Sequence, residues 1–293
     1  MLTLAALLVA LLAVIVAIAV RSARVLRAHV TCRPGNGLFS NLVECIQTTL
    51  CYPQHEVLCV GWPASLAALI PQLPLATGNA AADVDVTTIG YDAGALALGR
   101  LRYKECYVMQ DPRVLEDPAF GSVRARMHML VAPGAAFAPA PFLLARARGW
   151  WDVKMRGARF VVGVHGRAAM HYESEIGLAA HTRLLAAEAE AAMPPGAHVL
   201  FASCNRTMAE TMARRLGTRV VWRQPEGAVT EGNTDWGTRL SADSAEGALV
   251  DAILLSMCDV VICGASNVVL YVAALNPTAR IQIARHLKDV RTG

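Results

Sequence analysis

The sequence predicts an α/β protein whose C-terminal half is a doubly wound parallel sheet. Three observations predict it. From residue 158 onward, short strand patterns alternate with helices of about 12 residues, and such alternation implies right-handed crossovers between parallel strands. Those strands are apolar without a period of two, as in a sheet covered on both faces. The first half repeats the start of the same pattern, strand then helix then strand.

The elements follow in order. "MLTLAALLVALLAVIVAIAV" (1–20) holds one polar residue, Thr3. At 1.5 Å per residue it makes about 30 Å of helix, enough to cross a bilayer core. No basic residues precede it, as they would in a signal peptide. The segment is therefore read as an uncleaved transmembrane helix, with a cleaved signal as the alternative. Arg21, Arg24 and Arg27 follow in a basic linker, 21–29. By the positive-inside rule they leave the main domain on the cytoplasmic side. The sequon Asn205-Arg206-Thr207 is compatible with a lumenal domain. The side of the membrane stays open.

"AHVTCR" reads as a strand, "PGNGLFSN" as a tight loop, "LVECIQTTL" as a helix and "EVLCVGW" as a second strand. Residues 75–150 hold Pro- and Ala-rich stretches and short helices with no clean repeat. "WWDVKMRG" precedes the second unit, which divides the rest into 30–155 and 156–293. In that unit "RFVVGVHG", "HVLFASC", "TRVVW", "DVVICG" and "ARIQIA" are strands. "HTRLLAAEAEAAM", "NRTMAETMARRLG", "SAEGALVDAILLSMC" and "SNVVLYVAALN" are helices, the second with an Asn N-cap and a Gly stop.

Hydrophobic residues make up 55% of the chain and charged residues 17%, which excludes a disordered chain. A net charge of +4 with scattered Arg residues gives no nucleic-acid groove. Cys32, Cys45, Cys51, Cys59, Cys106, Cys204, Cys258 and Cys263 form no C-x-x-C pair and no zinc spacing with His. They are expected mostly as buried free thiols, with a lumenal disulfide pair as the alternative.

In open α/β sheets, ligands bind beyond the carboxyl ends of the strands. That rule selects residues 33–41, then His165-Gly166-Arg167, then Ser203-Cys204-Asn205, then Gly264-Ala265-Ser266-Asn267. Arg167 and Ser266 are expected to project into one cleft. An Arg fork suits a phosphate, and a helix start with Ser and Asn adds N–H and hydroxyl donors. Ser266 read alone is an ordinary N-cap, and "PGNG" read alone is a turn. "DVD" (83–85) has the spacing of a metal motif but lies in a Val/Thr run that reads as a strand.

"GVHGR" resembles the V-H-x-R that opens the donor motif of the α1,6-fucosyltransferase, nodulation-type fucosyltransferase and protein O-fucosyltransferase group. "DSAEGALVDAILLSMCDVVICGASNVVLYVAALNP" (243–277) resembles that group's later donor motif, and "NGLFSNL" (36–42) its first Gly/Asn loop. The resemblance covers about residues 30–60 and 158–283. It implies a GT-B-like fold of two Rossmann-like domains: an acceptor-side domain, 30–155, and a donor-nucleotide domain, 156–293. It implies metal-independent, inverting transfer of a sugar, fucose from GDP-fucose, to a glycan or protein hydroxyl, with no cofactor beyond the donor. A lumenal, membrane-anchored enzyme goes with it.

By the same resemblance, Arg167 binds the β-phosphate, and His165 and Asp251 lie near guanine and ribose. Ser266 and Asn267 complete the phosphate cradle, and Gly37 and Asn41 line the cleft from the first domain. Inversion needs a general base, for which Glu44, Glu173 and Glu231 are candidates; the plain reading of each is a solvated surface carboxylate. One departure stands out. The group carries an Asp shortly after the Arg, where this chain has Met170. The alternative is therefore a catalytically degenerate relative that binds a nucleotide sugar as a scaffold or binding subunit.

Overall fold

The computed structural model describes residues 11–12, 26–32, 38–51, 55–76, 84–85, 115–116, 118, 121–167, 177–223, 242–264 and 266–284. Two parallel sheets organise them. The first has the order β2-β1-β3, built from β1 (Leu26–Thr31), β2 (His55–Val60) and β3 (Val84–Asp85). Helix α1 (Leu38–Cys51) crosses from β1 to β2, and the short α2 (Ala64–Ala67) follows. β1 starts at Leu26, so Arg27 is a strand residue and pairs with Glu56 of β2 at 3.1 Å.

Two helices come next, α3 (Gly121–Val131) and α4 (Pro141–Lys154). "WWDVK" is thus the last turn of α4. The second sheet then forms from β4 (Val161–His165), β5 (His198–Ala202), β6 (Val220–Arg223), β7 (Val260–Cys263) and β8 (Arg280–Ile283). Its order is β6-β5-β4-β7-β8, every pair parallel. The crossovers are α5 (Leu178–Ala192), α6 (Arg206–Leu216), α7 (Ala242–Ser256) and α8 (Asn267–Leu275). α5 packs with α6, and α7 packs with α8 and α4. The five strands are those the sequence predicts.

Packing explains the shape of β4. A Cβ at Gly163 would lie 2.9 Å from Cys258 Sγ, and one at Gly166 would lie 2.5 Å from the Phe201 ring. Both approaches are closer than carbon contacts allow, so Cys258, just after α7, rests directly on the β4 backbone, and Phe201 on the backbone that follows it. Helix α8 is apolar all round, with every residue from Val269 to Ala274 buried. Such a helix needs neighbours on all sides. It finds them in α7, α3 and α1. Tyr271 Oη donates to the Phe137 carbonyl at 2.9 Å, and Arg124 donates to the Ala279 carbonyl at 2.7 Å.

The structure corrects one boundary that bears on the site. "LFSN" is not loop: α1 begins at Leu38, because Leu38 and Phe39 are buried and the Phe39 ring packs on Tyr271 at 5.5 Å. Tertiary contacts extend the helix beyond its local pattern. Among the described residues, no helix is long and apolar enough to cross a membrane. The expected transmembrane helix, 1–20, lies outside the described residues except for Leu11 and Leu12.

Candidate functional site

Strand order locates the cleft. After β4 the chain moves outward to β5 and β6, then returns to lay β7 on the other side of β4. The crossovers therefore diverge between β4 and β7, the switch point where open α/β sheets take ligands. His165 ends β4 in register with Cys263, which ends β7. Gly166 and Arg167 continue one strand end, and Gly264, Ser266 and Asn267 continue the other. The structure thus brings His165, Arg167, Ser266 and Asn267 to adjacent strand ends.

Ser266 occupies the N-cap position of α8, yet its side chain makes no cap hydrogen bond. It is 3% exposed, and its Oγ has no partner among the described residues. A buried hydroxyl left unmatched costs about 1–3 kcal/mol, so this arrangement is not an ordinary cap. His165 Nδ1 and Asn267 Oδ1 are likewise buried without a partner among the described residues. The first turn of α8 holds no acidic residue, so its positive dipole end is left without a carboxylate of its own turn.

A second helix start meets the first. Asn267 Nδ2 donates to Ser40 Oγ at 2.9 Å, and Ser40 lies in the first turn of α1. That turn is also free of acid. Two positive helix ends, one from each sheet, therefore meet at the Ser40–Asn267 contact. Asn41, expected on a loop, sits inside α1 and is 1% exposed.

Asp251 lies on α7 and is ion-paired. Arg223, the last residue of β6, donates to Asp251 Oδ1 at 2.6 Å and to the Gly247 carbonyl at 3.1 Å. Burial pushes the Asp251 carboxyl up to about 6, against the opposing pull of the guanidinium. Burial, then the charges of Arg167 and His181, pull His165 down to about 4, so its ring is neutral at pH 7. Sequence reasoning passed over Arg223, although a charged residue closing an apolar strand is the same signal that singled out Arg167. Ser40 falls within the selected stretch 33–41 but was not singled out there.

Gly37, Met170, Glu173 and Glu231 lie outside the described residues. Glu44 is not a solvated surface carboxylate. It is 1% exposed, on the buried face of α1 beside Cys32 and Cys45. α1 is buried on nearly every side because β1 and β2 cover one flank and α8 and α3 the other. Asn205, the sequon residue, is fully buried and caps α6: its side chain accepts from Met208 N at 2.9 Å. Among the described residues, no group of three or more His, Cys, Asp and Glu is arranged to hold a metal ion. A cavity of about 400 Å³ lies away from the switch point, at the C-terminal ends of α7 and α8, lined by His128, Arg148, Ser256 and Met257 among others.

Comparison with known proteins bears on the fold. A mutant of Arabidopsis thaliana FUT1 in complex with GDP matches 89% of this chain and 70% of its own, at 12% identity and a TM-score of 0.55. The fold is fucosyltransferase-like. The parallel five-stranded sheet of this fucosyltransferase-like fold fits a Rossmann-like domain of a GT-B arrangement. NodZ α1,6-fucosyltransferase soaked with GDP-fucose matches 87% of this chain and 94% of its own, at 15% identity and a TM-score of 0.46. NodZ from Bradyrhizobium matches with the same coverage, at 14% identity and a TM-score of 0.45. No protein-family profile and no curated protein sequence matches the chain.

Proposed function

We propose that the chain is a glycosyltransferase that binds a GDP-sugar, with fucose the expected sugar, and transfers it with inversion and without a metal to a glycan or protein hydroxyl. The observation that carries this reading is Ser266. A buried, unpartnered hydroxyl stands at an acid-free helix start, against a second acid-free helix start, at the switch point of a parallel sheet. That is a site for a diphosphate.

The chemistry follows from where charge develops. As the glycosidic bond breaks, negative charge grows on the β-phosphate. Arg167, Ser266 Oγ and the N–H groups of α8 stabilise that charge more in the transition state than in the ground state. Neutral His165 supplies one N–H without adding charge. Asp251, with one oxygen held by Arg223, offers the other to the paired N–H donors of guanine. Residues 30–155 and 156–293 are the acceptor-side and donor domains, and 1–20 anchors the chain in a membrane. For the general base, the burial of Glu44 leaves Glu173 and Glu231 as the first residues to test.

Met170 favours a second reading, a degenerate binding subunit. Calorimetric titration of the full chain with GDP, GDP-fucose, UDP and UDP-glucose, without metal, tests both. The expected result is binding of GDP and GDP-fucose alone, lost in Arg167→Ala. Binding without turnover of GDP-fucose supports the degenerate reading. No nucleotide binding sinks the donor site.

A further inference from the structure

The cysteines of the two sheets are settled in different ways. Cys258 donates to the Leu254 carbonyl and Cys263 to the Gln282 carbonyl, as buried free thiols do. Cys45 of α1 and Cys59 of β2 face each other instead, with their sulfurs 3.0 Å apart. Both are buried, at 0% and 1% exposure. The gap is about 1 Å longer than a disulfide bond, which spans about 2.05 Å. The two residues stand on consecutive elements, helix and strand, so closing the gap requires a small shift of side chains and no rearrangement of the chain. Cys32, at the end of β1, lies near both but is not in hydrogen-bond contact with either.

We propose that Cys45 and Cys59 form a disulfide when the chain folds in an oxidising compartment, and that this bridge pins α1 to β2. The oxidant is a second disulfide, of the glutathione or oxidoreductase class. One thiolate attacks it, releasing one thiol and leaving a mixed disulfide. The other cysteine then attacks the mixed disulfide, forming the Cys45–Cys59 bond and releasing the second thiol. Two protons and two electrons leave the pair, and the reagent disulfide becomes two thiols. The bond forms before α1 is sealed against the sheet. In the folded protein, burial, the facing sulfur and Glu44 hold the Cys45 thiol well above its ordinary range, so the reduced pair exchanges slowly. The bridge would fix the helix whose first turn carries Ser40 to Asn267. It is independent of what the cleft binds.

The test is disulfide mapping of the full chain, refolded in a mixture of oxidised and reduced glutathione and alkylated in denaturant without reductant. Glutamyl endopeptidase cuts after Glu44 and Glu56, which separates the Cys32 peptide from the Cys59 peptide. The expected product joins the peptide 45–56 to the one that begins at Val57, with fragment ions placing the link on Cys45 rather than Cys51. The thermal midpoint of the oxidised protein should fall on reduction, and Cys45→Ala or Cys59→Ala should remove that dependence. Full alkylation of all eight cysteines, or a link at Cys32 or Cys51 in place of Cys45, overturns the proposal. The mapping needs no variant, so a misfolding substitution does not blur it.

Discussion

Two helix starts in the same sheet are treated in opposite ways. At the end of β5, Asn205 turns its side chain onto Met208 N and closes the start of α6. At the end of β7, Ser266 stands in the same position before α8, equally buried, and leaves its hydroxyl unused. A third strand end, that of β6, is closed at one oxygen of Asp251, which Arg223 holds. The difference teaches where the sheet is finished by its own residues and where it is left for a ligand. Neighbouring strand ends with similar composition divide into closed and open according to whether their polar atoms are already matched.

The largest effect should come from opening a closed end. Arg223→Met strands a buried carboxylate, a loss of about 3–5 kcal/mol in denaturant unfolding at pH 8. The sign of its pH dependence follows from Asp251. Its folded pKa is raised, so the folded protein binds the proton more tightly, and the deficit should shrink as pH falls through about 6. A deficit that grows on acidification would mean the pair is not what closes this end.

Gly166→Ala comes next, because its methyl would press into Phe201 and the Met208 methyl, 2.5 and 3.1 Å away. A loss of about 1–3 kcal/mol is expected, read as a lower thermal midpoint. Asn205→Ala removes the cap and should cost about 1 kcal/mol while leaving GDP affinity within twofold. Ser266→Ala is its mirror image. Stability should rise by about 1 kcal/mol, because an unmatched buried hydroxyl is removed, while GDP affinity falls about tenfold, as for one hydrogen bond to a charged group. If both variants lose stability alike, the contrast between the two starts disappears.

The pH profile tests the contrast between buried groups directly. His165 has a depressed folded pKa, so its share of stability is lost as pH falls from 6.5 toward about 4. Asp251 acts oppositely, its share being lost as pH rises from 3.8 toward about 6. The two oppose over most of one window, and His165→Gln should leave the stability of the chain falling more steeply as pH rises from 4 to 6.

What the sequence made legible was local. The strands from "RFVVGVHG" onward, the Asn cap of α6 and the placing of Arg167 and Ser266 just after adjacent strand ends all follow from short patterns and one topological rule. The start of α1 at Leu38 was hidden, because the contacts that extend it are made by Tyr271 and Asn267 from the other sheet. Arg223 with Asp251, and Cys45 with Cys59, were hidden for the same reason. Each pair is joined by the packing of a helix on a strand, which composition and spacing do not encode. The silence of Ser266 as a cap was also invisible, since Ser before a helix ordinarily means a cap bond.

The burial of Asn205 has a consequence for how the chain is made. Its amide belongs to a sequon, yet in the finished protein it is fully enclosed at the corner between β5 and α6. An oligosaccharide attached there has no room, and it would displace the cap on which the helix closes. In any compartment that glycosylates nascent chains, folding of this corner and modification of this residue are therefore competitors in time. Only chains whose corner closes first can mature.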